Sequence, residues 1–247
     1  MKIIDDLISS LKEDNVVRNV YSCAHFTAVI SRNCGLSSTF KDEPPHHTVV
    51  RDVGSLRGKS ALALAQYAYS KSLLEASIGM ATINSLIDIE QAKCTTQNAF
   101  AVLAEKGRNK NIAVVGHFPW IPKLRKIARK LWVVEQRLQP GDLPEEAAEK
   151  ILPQADVVGI TGTSFINHTL EKLLELSKNS FIVMIGPTTP LSPVLFDYGL
   201  DIIAGVDVVE PETTIRFISE GATFQQIKGL KHVTMARVFP GQNGGIK

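Results

Sequence analysis

The 247 residues carry 27 basic against 25 acidic side chains, a formal charge of +2 with no dense Lys/Arg run, which argues against the positive field of a nucleic-acid binder. With 44% hydrophobic and 21% charged residues, and no apolar run long enough to cross a bilayer, the composition is that of a soluble chain able to bury one large core or two smaller ones. Three widely spaced cysteines (Cys23, Cys34, Cys94) form no CxxC pair, and acidic residues interrupt the N-terminus where a signal peptide is apolar; a cytoplasmic protein with no membrane partner is expected.

The chain opens with Ile3, Ile4, Leu7, Ile8 and Leu11 on one face of a helix over 2–11. β-Branched and aromatic residues over 16–31 predict a strand hairpin; 33–45 reads as turn, and 46–52 as one more short strand. Ala and Leu then dominate two helical patterns, over 60–76 and 77–88, giving a helical hairpin on a small antiparallel sheet. Gly79 and its small neighbours would let another backbone come close. Asn84, set in an apolar helix, must find polar partners; it either reaches a crevice of the other domain or pins the contact between domains.

From Asn111 the grammar changes. Short Val/Ile runs at 112–116, 131–135, 156–161, 181–186, 200–206 and 232–238 are separated by helical stretches at 121–130, 144–152, 167–177 and 211–220. Such runs, divided by helices, indicate parallel strands covered on both faces. The expected division is 1–105 for an α+β domain and 106–247 for a parallel-sheet α/β domain; the 156–161 strand could lie beyond the second strand or beside the first, and beside the first is the placement chosen here.

An open parallel sheet binds ligands outside the carboxyl ends of its strands. At that rim lie Gly116, His117, Phe118 and Pro119; Glu135; Thr161, Gly162, Thr163 and Ser164, followed by Asn167 and His168; Gly186, Pro187 and Thr188; and Asp207. The first turn has one glycine where a dinucleotide fingerprint needs several, which argues against ordinary NAD binding and against a wrap around S-adenosylmethionine. Glu135 is placed to accept hydrogen bonds from a ribose or polyol, or is simply an exposed strand-end carboxylate. The Thr161 turn either binds an anion or caps a helix; the Thr188 turn at the same edge favours binding. His117, His168 and Glu135 are candidate acid/base groups, because imidazole titrates near neutral pH. No ligand spacing predicts a preformed metal site, and the adjacent His46 and His47 would point to opposite faces of a strand.

Several runs, among them SLRGKSALALAQYAYSKSLLEASIGMATINSLI, VVGHFPWI, VVEQRLQPGDLPEEAAEKILPQADVVGITGTSFINHTLEKLLEL and MIGPTTPLSP, closely resemble the putative heavy-metal chelation family. The resemblance spans nearly the whole chain. It implies an α/β protein with an enolase N-terminal-like domain followed by a Rossmann-like domain and a site between them. It matches at Gly79, Asn84, the Gly116 turn, Glu135, Asp142-Leu143-Pro144, the Thr161 turn and Gly186-Pro187-Thr188, and departs at Thr82-Ile83, where the family tends to have small residues. The chemistry it implies is heavy-metal chelation, or condensation and hydrolysis in flavin, pterin or siderophore-like synthesis. Two classes of function are carried forward. One is an enzyme acting on a small molecule in an interdomain crevice, with no cofactor specified. The other is a non-catalytic protein that binds a metal or metal–chelate complex. A second copy of the chain is a further possible partner.

Overall fold

The computed structural model describes residues 1–40 and 49–237. Its first unit has helix α1 (Lys2–Ser9), an antiparallel sheet of β1 (Asn19–Ser22), β2 (Phe26–Ile30) and β3 (Cys34–Ser38), and helices α2 (Ala61–Ala65) and α3 (Leu73–Leu86). β3 falls where the sequence reads as turn. The reason is Gly35: a Cβ there would stand 2.0 Å from the Ala81 carbonyl oxygen, so this strand needs its small residues to lie directly on the α3 backbone. His46 and His47 lie outside the described residues, and Val49–Asp52 form no strand, because residues 51–54 turn with Asp52 at φ 53°.

The two helical patterns divide at Ser70–Ser72 rather than at residue 76. Ser72 caps α3 by accepting from the Glu75 N–H, three residues on, the S-x-x-E spacing of a capping box. Glu75 also accepts from the Ser70 hydroxyl at 2.6 Å and from the Arg51 side chain and backbone. Gly79 sits mid-helix where a Cβ would be 2.0 Å from the Ala68 nitrogen, so the close backbone approach expected there is realised against the short 3₁₀ turn Gln66–Tyr69.

The second unit is a seven-stranded sheet. It contains β4 (Cys94–Thr95), β5 (Asn111–Val115), β6 (Lys130–Val134), β7 (Val157–Thr161), β8 (Phe181–Ile185), β9 (Ile202–Val208) and β10 (Leu230–Ala236) in the spatial order β4-β10-β9-β8-β7-β5-β6. β6, β5, β7, β8 and β9 run parallel; β10 and β4 are antiparallel additions. β7 pairs beside β5, as expected, so the parallel part is doubly wound with a switch between β5 and β7.

Alternate strand residues bury on opposite faces. Ile112, Val114, Val157 and Val183 meet α4 (Ala99–Lys106) and α5 (Ile121–Arg125). Ala113, Val158, Ile160 and Met184 meet α6 (Ala148–Ile151) and α7 (Leu170–Leu176). α8 (Pro211–Ser219) packs Ile218 toward Phe26 and Leu36 of the first unit. Three expected helices are shorter: α5 stops at Arg125, α6 is a single turn between 3₁₀ segments, and α7 starts at Leu170 after the 3₁₀ turn Gly162–Phe165. One apolar cluster runs from Ile3, Ile4 and Leu7 through Met80 and Ile83 to Phe165 and Leu170, so the two units share a core. Among the described residues no helix is long and apolar enough to cross a membrane.

Gly79→Ala, stabilising in an ordinary exposed helix, should here cost about 3 kcal/mol through overpacking against backbone; urea unfolding with an unchanged midpoint would contradict this contact. Burial pushes the Glu75 carboxyl up, but the hydrogen bonds from Arg51 and Ser70 outweigh it and its pKa lies below the ordinary value. The stability it adds is therefore present above the unfolded-state value of about 4.3 and is lost as pH falls through the folded one. Glu75→Gln should lower stability by about 2 kcal/mol at neutral pH, with a smaller deficit near pH 4; denaturation curves giving the same deficit at both would refute the linkage.

Candidate functional site

β5 leaves its carboxyl end at Gly116, which has φ +102°. A Cβ there would also lie 3.1 Å from the Thr161 side chain, so glycine alone lets the end of β5 turn tightly beside that of β7. The Gly116 N–H donates to the Val134 carbonyl at 2.9 Å, and the His117 N–H to Glu135 Oε2 at 2.9 Å. Glu135 Oε1 accepts from the N–H groups of Gln136 and Arg137. Both carboxylate oxygens of Glu135 thus hold loop backbone together.

The His117 ring lies with Nδ1 2.9 and 3.2 Å from the two oxygens of Asp142. The Asp142 side chain is 2% exposed and that of His117 25% exposed. Asp142 is held in turn by the Gln139 N–H at 3.0 Å, and its loop is drawn back by the parallel bridge between Val134 and Leu143. A buried carboxylate on Nδ1 fixes the ring and leaves Nε2 without a hydrogen-bond partner among the described residues. The sequence matches the family at Asp142 but assigns it no chemistry; a His and an Asp 25 residues apart become a pair only through this loop.

Next to this pair, Phe118 stacks on Trp120 with ring centroids 4.7 Å apart. Across the loop after β6, a cavity of about 200 Å3 is lined by Arg137 and, from the first unit, Ala24, Thr39 and Phe40. Arg137 is joined to His117 through one carboxylate, since both backbone N–H groups end on Glu135. It is the basic residue of this crevice that the sequence reading did not single out.

The other predicted residues separate into groups. Gly116, His117, Phe118, Pro119, Glu135, Thr161 and Thr163 share the β5–β7 rim. The Thr161 and Thr163 hydroxyls lie 3.0 Å apart, Thr161 accepts from the Thr163 N–H, and Ser164 donates to the Thr161 carbonyl, so these groups cap their own 3₁₀ turn. Gly162 rests against Thr189, where a Cβ would meet its N at 2.7 Å. Asn167 accepts from Thr169, and His168, at φ 59°, has Nε2 2.9 Å from the Ala68 carbonyl of the first unit.

Thr188 is fully buried in the joint between the units. Its hydroxyl accepts from the Ser38 N–H at 2.9 Å and its carbonyl from Asn84 Nδ2 at 3.3 Å. The Gly186-Pro187-Thr188 turn thus docks the first unit. Asn84 also donates to the Leu36 carbonyl of its own unit at 2.9 Å, which orients the amide for the bond to Thr188 that crosses the joint. Asp207 lies at the end of β9, accepting from Gln91 at 3.1 Å.

The described residues hold no group of three or more His, Cys, Asp or Glu side chains able to bind a metal ion. Soft heavy metals want thiolates. Here burial pushes the Cys34 thiol up to about 12 and raises those of Cys23 and Cys94 as well. The donor set of the described residues does not fit a protein-built heavy-metal centre.

Two family signatures, both described as "Putative heavy-metal chelation", match residues 4–87 and 98–237. The chain belongs to the putative heavy-metal chelation family. A crystal structure of a protein of unknown function from this family in Desulfitobacterium hafniense DCB-2 superposes with a TM-score of 0.84 at 30% identity, covering 96% of this chain and 97% of that one. A second such structure, from Pyrococcus horikoshii, has the same fold, with a TM-score of 0.81 at 19% identity over 96% and 98% of the two chains. An uncharacterized protein of Methanocaldococcus jannaschii is 24% identical over 237 residues, 91% of each chain. The family description concerns metal, whereas the geometry of this member offers an oriented imidazole.

Thiol labelling of the native protein should modify Cys23 and Cys94, both half-buried, at least about tenfold faster than Cys34, which is 6% exposed. Equal rates for all three would mean that the β3–α3 packing opens readily.

Proposed function

We propose that the chain is a small-molecule enzyme whose reaction takes place in the interdomain crevice between the β5–β7 rim and the first unit. The observation that carries this reading is the 2.9 Å contact of His117 Nδ1 with the buried Asp142 carboxylate at the switch point of the sheet. His117 Nε2 would take a proton from an N–H or O–H of the ligand, and the imidazolium so formed would be met by Asp142. Glu135 would position the His117 backbone, while Arg137, lining the cavity, suits a ligand with an anionic group. The stacked Phe118 and Trp120 beside the turn favour a flat heteroaromatic ligand, and the substrate class we propose is a pterin or flavin precursor or a siderophore-like chelator.

A second reading is supported by the donor set. Because the described residues form no three-ligand group, a metal would arrive already chelated, with His117 Nε2 filling one remaining position and no turnover. The two readings part in one experiment. Isothermal titration of pterins, flavin precursors and ferric–chelate complexes, with product analysis, should find a ligand that His117→Ala weakens at least about tenfold. Asp142→Asn should retain much of the binding but lose turnover. Binding without turnover that follows the metal–chelate complexes would select the second reading. Failure of every ligand, or indifference to His117→Ala, would overturn both.

A further inference from the structure

The His117–Asp142 pair depends on a turn that carries no chemistry of its own. Asp142 reaches His117 from the loop after β6, and that loop closes through the four residues Gln139-Pro140-Gly141-Asp142. The Asp142 N–H donates to the Gln139 carbonyl at 2.9 Å, Pro140 stands second, and Gly141 stands third with φ +92°. This is the pattern of a type II turn, in which proline presets the second residue and the third must take a positive φ.

A further bond locks the aspartate side chain into the turn. The Gln139 N–H donates to Asp142 Oδ2 at 3.0 Å, and the same oxygen lies 2.9 Å from His117 Nδ1. The turn backbone and the imidazole therefore share one carboxylate oxygen. Beyond the turn, Leu143 joins the ladder, donating to the Val133 carbonyl and accepting from the Glu135 N–H. Leu143 packs on the core face that holds Val134. Neighbouring side chains of an extended segment point opposite ways, which directs Asp142 to the other face, where Phe118 and Trp120 pack. The ladder thus sets the direction of Asp142, and the turn sets its reach.

Gln139, Pro140 and Gly141 are exposed, so apolar packing does little to hold the turn. A Cβ on Gly141 would meet only Arg125 Nη2, at 4.0 Å. There is room for a side chain, and glycine is needed for its φ alone. An L-residue in the left-handed region is disfavoured by roughly five- to thirtyfold. We propose that Gly141 is a positioning residue of the crevice: its left-handed backbone keeps Asp142 on the His117 ring and so decides how much of the time the imidazole is held in one tautomer. This rests on the reading of His117 as the acid/base group and extends it from the pair to the turn that makes the pair.

Nuclear magnetic resonance of the full chain with 15N-labelled histidine tests this. The Nδ1 proton is the resonance that His117→Gln removes, and its exchange with solvent reports how often the pair opens. In Gly141→Ala the exchange should be at least about fivefold faster. Gly141→Asn should lie between glycine and alanine, because asparagine visits the left-handed region more readily. A packing role for Gly141 gives the reverse order, since asparagine is the bulkier side chain. Both variants should still unfold cooperatively in urea with the wild-type slope. Equal exchange in all three proteins, faster exchange in Gly141→Asn than in Gly141→Ala, a wild-type proton that exchanges as in free imidazole, or loss of the cooperative transition would each overturn the proposal. None of these measurements uses a ligand, so a failed ligand search would overturn the assignment of His117 and leave the role of the turn standing.

Discussion

A single carboxamide sets the spacing of the two units. Asn84 Nδ2 spans the Leu36 carbonyl of β3 and the Thr188 carbonyl of the loop after β8, and the Ser38 N–H closes the same contact on the Thr188 hydroxyl. Each bond that crosses the joint pairs a side chain of one unit with a main-chain group of the other: Asn84 Nδ2 with the Thr188 carbonyl, and the Thr188 hydroxyl with the Ser38 N–H. Inside each unit, glycine permits the close packing that shapes these surfaces: Gly35 against α3 and Gly79 against the turn before it in the first, and Gly162 against Thr189 in the second. Where the joint ends on either side, space is left, one gap beside Arg137 and the other beside Asp207. The two cavities are therefore consequences of how the joint is made.

The two gaps differ because different ends of elements face them. The first lies beyond the carboxyl end of β6, where loop N–H groups converge on Glu135 and Arg137 contributes to the wall. The second meets the carboxyl end of a helix and an aspartate that Lys231 faces across the β9–β10 ladder. The metal chemistry in the family's description finds little support in either place. Thiols raised by burial and carboxylates already engaged by backbone and arginine make a weak donor set for a soft cation.

Much of this was legible before any coordinates. The parallel strands declared themselves as Val/Ile runs because both faces of the sheet are covered, whereas the pattern allowed β7 either beyond β6 or beside β5, and only the ladder decides for β5. The rim residues His117 and Glu135 were likewise identifiable from strand ends alone. What stayed hidden depends on contacts distant in sequence. β3 reads as turn because its glycine and serines answer to the α3 backbone and not to strand propensity. The His117–Asp142 pair needs a loop that folds back on β6, which no spacing rule encodes. Thr188 shows the converse, since a hydroxyl-rich turn at a strand end has the composition of a binding loop but fastens the first unit instead. The break before α3 was readable as a Ser72–Glu75 capping box and was obscured by the continuous Ala/Leu pattern around it.

β10 extends over seven residues, but β4 pairs with only two of them, Thr234 and Met235. Among the described residues no strand covers the outer ladder of Leu230 to Val233, and the exposed side chains there are Lys231 and His232. An open row of amide and carbonyl groups is a template for a strand from another molecule, and a hydrated lysine on it makes such docking costly. The lateral growth that would turn this sheet into a fibre is thus opposed by one side chain that lies outside the His117 crevice. Its replacement by an apolar residue would reveal itself in solubility before any change in folding or ligand binding.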